Sequence, residues 1–217
     1  MLGLGAVSFY EVGSRLCLSI RAIPLVMISA LIPATSELAA RNERDKVLRA
    51  YMAASRYVAI ITIAMVTCLI IEAQSLLVLW VGRGFESAAI LVQILAIGYG
   101  FNILGGAASQ TGAGIGRPEF DMRGTALLVV INPILSLILA RQFGSAGAAA
   151  GTTVSLIAAA AYLVYGFHRH YAGTSAVKAF REIYLRPAIA AAVAGFTVVG
   201  LHRLVPAFAS LETDRLL

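Results

Sequence analysis

The sequence predicts an all-α membrane protein, a polytopic bundle of about six transmembrane helices, and three observations carry that reading. The first is composition. Of 217 residues, 59% are hydrophobic and only 13% charged, with a mean hydropathy of +0.85, far outside the range of a water-soluble domain. The second is length: apolar stretches recur from end to end, each able to supply the roughly 20 residues that cross a bilayer as a helix. The third is period. These runs lack the two-residue alternation of a spanning barrel, so their backbone polar groups must be satisfied inside helices.

The first helix is expected over 6–38, an apolar run that carries Glu11, Arg15 and Arg21 and is interrupted by Pro24 and Pro33. No signal peptide is legible there, since the run carries those charges and lacks a basic leader and a small-residue cleavage site. After a charged connection at 41–49, the second helix is placed at 50–80 and the third, dotted with Gly98, Gly100, Gly105 and Gly106, at 86–111. The fourth and fifth follow at 124–140 and 147–167. Gly147, Gly151 and Ser155 recur there every fourth residue, the spacing of a close-packing face. The sixth is placed at 184–206. Cys17 and Cys68 both fall inside helices, without metal-ligand spacing, and read as small apolar residues.

The balance of 17 Lys and Arg against 11 Asp and Glu gives a charge of +6. In a soluble protein this would raise the question of nucleic acid; here the basic residues sit in short connections, where they set orientation and meet lipid headgroups. Ten of them fall on one side: Arg41, Arg44, Lys46 and Arg49; Arg117 and Arg123; Arg169, Lys178, Arg181 and Arg186. Four, Arg83, Arg141, Arg203 and Arg215, fall on the other. The richer side is expected to be cytoplasmic, so the first helix enters from outside and the C-terminal tail lies outside. Such a start, without a signal, points to a piece of a longer protein with an odd number of helices upstream, or to an internal methionine at position 1. A natural six-helix protein with both ends outside is the alternative.

Several segments together resemble the polysaccharide flippase family, the O-antigen and lipid-linked oligosaccharide transporters of the multidrug/oligosaccharidyl-lipid/polysaccharide exporter superfamily. They are residues 5–11 (GAVSFYE), 30–40 (ALIPATSELAA), 51–57 (YMAASRY), 76–82 (LLVLWVG) with Phe85, Ala88 and Ala89, 112–118 (GAGIGRP) and 143–149 (FGSAGAA). In that family this order belongs to helices eight to twelve, and helix eight enters from the outside, in agreement with the orientation drawn from charge. The resemblance implies the second bundle of a two-bundle transporter, with about seven helices missing before Met1. It further implies alternating access, a lipid-linked (polyprenyl diphosphate) oligosaccharide as substrate, the missing N-terminal half as partner, and the cell inner (cytoplasmic) membrane as location.

The ionisable residues of the first helix are the informative ones, because a charge at mid-membrane costs about 2.5–3.5 kcal/mol on insertion scales. Glu11 and Arg15 lie one turn apart and can pair; Arg21 has no such neighbour along the helix. Either these side chains line a water-filled cavity, or Arg15 snorkels outward with Glu11 beside it. Glu11 serves to neutralise Arg15 or acts as a proton or sodium site. Guanidinium groups suit a phosphate-bearing substrate, since they stay charged at any depth and offer a planar fork. Asn102 in the third helix is a substrate contact or a packing hydrogen bond, and Arg56 a phosphate contact or a headgroup anchor. Tyr10, Tyr57 and Tyr99 stack on sugars or serve packing. Pro24 and Pro33 are hinges or static kinks.

His168 and His170 are read as loop residues flanking Arg169, without metal-site spacing. No phosphate-binding loop, nucleophile elbow or paired carboxylates are present, so the chain is not read as an enzyme and no cofactor or metal is expected. Two rivals stand beside the transporter reading. A multidrug or cation antiporter of the same superfamily would need acidic cavity residues, and a non-transporting membrane assembly subunit would need no charge in the first helix at all.

Overall fold

The computed structural model describes residues 4–173 and 176–204, and among these every element is helical. The all-α membrane bundle expected from the sequence is the observed fold. Among the described residues four stretches can cross a membrane by length and composition, Ser8–Ala40, Arg44–Ile71, Glu86–Gly114 and Glu119–Ala172. The fourth is folded back on itself.

The first expected helix is three consecutive segments, α1 (Leu4–Ser19), α2 (Ala22–Ser29) and α3 (Leu31–Ala40). The breaks have a local cause. Pro24 and Pro33 cannot donate to the carbonyls four residues earlier, those of Ile20 and Ser29, and their rings crowd them, so the helix bends just before each proline. The chain closes the first gap with a tighter bond, Arg21 N–H to the Leu18 carbonyl at 3.1 Å.

Next, α4 (Arg44–Ile71) begins six residues earlier than the expected 50, so Arg44, Asp45, Lys46 and Arg49 lie on its first turns rather than in a loop. At 28 residues it is about 42 Å long, more than the roughly 30 Å of hydrocarbon, which leaves its charged start outside. The rest of the expected second helix is a separate short α5 (Ala73–Trp80), turned off at Glu72. It seats Leu77 in the core and leaves Leu79 and Trp80 bare, in keeping with a tryptophan at a membrane interface.

A single turn at Glu86–Ala88 leads into α6 (Ala89–Gly114), the central helix, which packs against α1 to α5 and α7. It runs parallel to α1–α3: Cys17 meets Val92, Ile28 meets Gly106, and Thr35 meets Gly114. Its glycines make such close approaches possible on more than one side: a methyl group on Gly106 would stand 2.7 Å from the Ile28 side chain, and one on Gly98 2.7 Å from the backbone of Thr153 in the helix that follows. Among the described residues the core divides into two large apolar clusters, one around Cys17, Leu77, Val92 and Leu95, the other around Ile28, Tyr51, Ile103 and Phe167, and a small third one of Ala59, Ile183 and Tyr184.

The fourth and fifth expected helices form one continuous run, α7 (Glu119–Phe167), that reverses at Gly144, where φ is 62° and ψ −141°. That backbone region is almost closed to residues with a Cβ. The two arms lie antiparallel, with Ser136 beside Ala148 and Thr152, and Phe120 beside Phe167. A π-helical turn, His168–Ala172, prolongs the second arm, so His168 is not a loop residue as the sequence reading has it. It is buried against Tyr51 and Phe167, with its Nε2 2.9 Å from the Tyr51 hydroxyl. The last helix, α8 (Ala176–Leu204), starts earlier than the expected 184. It runs parallel to α4, Ala59 packing on Ile183 and Tyr184, and Gly195 lying beside Thr67 and Ile71. Residues 205–217 lie outside the described residues, and with them the end of the expected sixth helix and Arg215.

These helix directions alternate as the charge asymmetry requires. With Cys17 and Cys68 replaced, a single cysteine in place of Arg41 should react with an impermeant maleimide only from the cytoplasmic side, and one in place of Arg83 only from outside. Labelling of both from the same side would end this topology.

Candidate functional site

The sequence-predicted charges gather on the first element. Along α1–α3, Ser8, Glu11, Arg15, Ser19, Ala22, Val26, Ser29, Pro33 and Glu37 recur every third or fourth residue and are all exposed. They form one stripe that no described helix covers. The stripe is polar at both ends and apolar between, Val26 being 73% exposed at its centre.

At its N-terminal end Arg15 Nε donates to Glu11 Oε1 at 2.8 Å, both side chains being more than half exposed. In water a pair like this is worth a few tenths of a kcal/mol, so it does not hold the helix together. Its consequence is local neutrality on a face that, set against hydrocarbon, would carry a cost of about 2.5–3.5 kcal/mol for each ion. Such a face is better matched by water or a polar partner than by lipid tails.

Arg21 lies elsewhere on the circumference, at the break between α1 and α2. It is three residues, or about 4.5 Å, from the middle of the Ser8–Ala40 span. Its side chain is half-buried on the flank of the stripe, close to Tyr99 of α6, whose hydroxyl also has Ser14 and Tyr10 around it. Nε of Arg21 is buried without a hydrogen-bond partner, and among the described residues no carboxylate pairs with it. Within the first span, then, the cation nearest the middle is also the one whose Nε is buried without a partner, while Arg15 is paired with Glu11. Asn102 stands three residues beyond Tyr99, on the same side of α6, half-buried and with no hydrogen bond among the described residues. Glu11, Arg15, Arg21 and Asn102 thus belong to one region, the stripe and its seam with α6.

Arg56 does not. It is exposed on α4 and faces α8, on a separate surface. The three tyrosines also part company: Tyr57 is exposed on α4, Tyr99 lies beside Arg21, and Tyr10 donates or accepts a 2.9 Å bond with Thr152.

Tyr10 opens a polar chain that sequence reasoning missed. Thr152 Oγ1 is 3.3 Å from Ser136 Oγ, which donates to Asn132 Oδ1 at 2.8 Å and approaches the Ala148 carbonyl at 3.3 Å. Hydroxyl and amide groups in an apolar bundle are worth joining, because each left alone costs more than the bond gains. This chain ties α1 to both arms of α7. Its members are spread over 142 positions, and only the reversal at Gly144 brings them together.

No protein-family model matches the sequence, and neither does any curated protein. Among solved structures, the fold is similar to that described as "Lipid II flippase MurJ, inward closed conformation", with a TM-score of 0.71 at 19% sequence identity. The similarity covers 89% of this chain and 41% of that one, so the chain spans less than half the length of that flippase. At this identity the likeness establishes the fold, that of a multi-pass helical membrane protein.

Proposed function

We propose that the chain is the second bundle of a two-bundle flippase that moves a lipid-linked oligosaccharide across the cytoplasmic membrane by alternating access. The observation that carries the reading is the fold held in common with a lipid II flippase over nearly the whole of this chain. The chemistry of the open stripe supports it. Arg15 and Arg21 supply fixed positive charge for a diphosphate, Glu11 offsets part of it, and Asn102 offers an amide toward a sugar or phosphate oxygen. The bare stripe is then the wall that the N-terminal bundle faces across the cavity. The polysaccharide class of the glycan rests on the resemblance of the segments quoted above, and with it the membrane and the missing half as partners.

The reading is tested with the complete transporter in sealed vesicles holding a fluorescent polyprenyl diphosphate disaccharide. Movement of the probe to the far leaflet is followed by an impermeant quencher. Transport of the diphosphate lipid but not of ethidium is the expected result. Extrusion of ethidium with the lipid static would make the protein a cation antiporter, and transport of neither would favour an assembly subunit.

A further inference from the structure

A second surface of the molecule lies away from the arginines of α1. Between α4 and α8 runs an open furrow of about 1080 Å³. Its floor is made of small residues, Ala64 from α4 and Ala190, Ala191 and Ala194 from α8, with Ile60 and Leu185 on its sides. Its charged groups are confined to one end, where Arg56, Arg181 and Glu182 line it. Because α4 and α8 run parallel, that end points toward the N-termini of both helices, Arg56 lying twelve residues into α4 and Arg181 five into α8, and the ten-to-four asymmetry of basic residues directs those N-termini to the cytoplasmic side. Neither arginine takes part in an ion pair among the described residues, and the end carries one net positive charge.

We infer that this furrow binds an anionic phospholipid of the cytoplasmic leaflet, its phosphate between Arg56 and Arg181 and one acyl chain laid along the alanine floor. Length supports this occupant: from Arg181 to Ala194 the helix rises about 20 Å, and a single leaflet contributes roughly 15 Å of hydrocarbon, so headgroup and chain fit end to end. Chemistry supports it as well. A guanidinium is charged at any depth and its fork matches phosphate oxygens, while bulky side chains along the floor would have closed the space to an acyl chain. The net positive charge selects a lipid that is itself net negative over a zwitterionic one. Arg56, on this account, holds a resident lipid and not the transported one.

The test uses the full chain in phosphatidylcholine vesicles doped with phosphatidylglycerol, followed by gentle detergent extraction and native mass spectrometry of the lipid that stays bound. Phosphatidylglycerol should be retained in preference to phosphatidylcholine, and Arg56→Gln with Arg181→Gln should weaken its retention about thirtyfold. Ala191→Leu with Ala194→Leu, which fills the furrow and leaves both cations in place, should also expel it. Arg41→Gln with Lys46→Gln, where α3 connects to the first turn of α4 and outside the furrow, should leave it unchanged. Equal retention of the two lipids, or equal loss in the connection variant, would reduce the effect to the diffuse field of the cytoplasmic face and overturn the site. Displacement of phosphatidylglycerol by an equimolar polyprenyl phosphate would also overturn it, giving the furrow to the carrier lipid. A photo-crosslinker at position 190 that captures another protein chain and no lipid would overturn it as well.

Discussion

Replacing Arg21 with alanine in the complete transporter is expected to abolish movement of the diphosphate lipid while the protein inserts and accumulates at normal levels. Three steps lead there. An arginine some 4.5 Å from the middle of its span must be compensated, and among the described residues its Nε is buried without a partner and no carboxylate reaches it. A phosphate is the compensating group that the proposed substrate would bring, and two parallel charge-assisted bonds to it are worth about 1.5–3 kcal/mol each, enough for a loss of a hundredfold or more. Removing a buried donor that has no partner also removes its desolvation cost, so the alanine variant should melt no lower than the parent. Arg21→Lys should keep part of the activity, since charge survives without the planar fork. A packing role predicts the reverse pattern, with protein lost and the specific rate intact. An alanine variant that transports at the parental rate would take Arg21 out of the site and leave the anion argument on Arg15 alone.

The fold class could be read from the sequence because hydrophobic length and the absence of two-residue alternation are physical demands of the bilayer, not of this protein. The breaks in the first helix were equally open to reading, each falling where Pro24 or Pro33 denies a hydrogen bond to the carbonyl four residues before it. The turn at Glu72 was not. One acid inside a long apolar run does not disrupt a helical pattern, and what separates α5 from α4 is the seating of Leu77 on α6, a tertiary contact. Nor could the charges at the start of α4 be assigned by hydropathy, since a helix longer than the bilayer is thick carries its polar turns outside. At the site, the pairing of Glu11 with Arg15 follows from their spacing of four. The company of Arg21 does not, because Tyr99 comes from a helix almost eighty positions away. The same holds for the separation of Arg56 from the stripe, which is decided by where α8 lies.

The hairpin of α7 yields the largest expected loss of stability, and it distinguishes a glycine required by backbone from one required by a side chain. A methyl group on Gly147 would overlap the carbonyl oxygen of Leu139, and one on Gly151 would stand 2.6 Å from the Cα of Ser136. Both obstacles are backbone of the opposite arm, which cannot move without parting the arms and undoing the Ser136–Thr152 contact that links them to Tyr10. Gly147→Val should therefore cost more than the 1–3 kcal/mol typical of overpacking, with little folded protein recovered from the membrane. Trimming the neighbouring side chain by Leu139→Ala should not rescue it, since the side chain is not what is struck. Gly106 makes the contrast. There a methyl group would stand 2.7 Å from the Cδ1 tip of Ile28, the far end of a flexible side chain. Gly106→Ala should thus be mildly destabilising and should be restored by Ile28→Val, which removes the atom in the way. Thermal unfolding in detergent, followed by loss of the monodisperse peak, measures both pairs. Recovery of Gly147→Val by Leu139→Ala, or a Gly147→Val variant as stable as the parent, would mean that the two arms do not approach as closely as this fold requires.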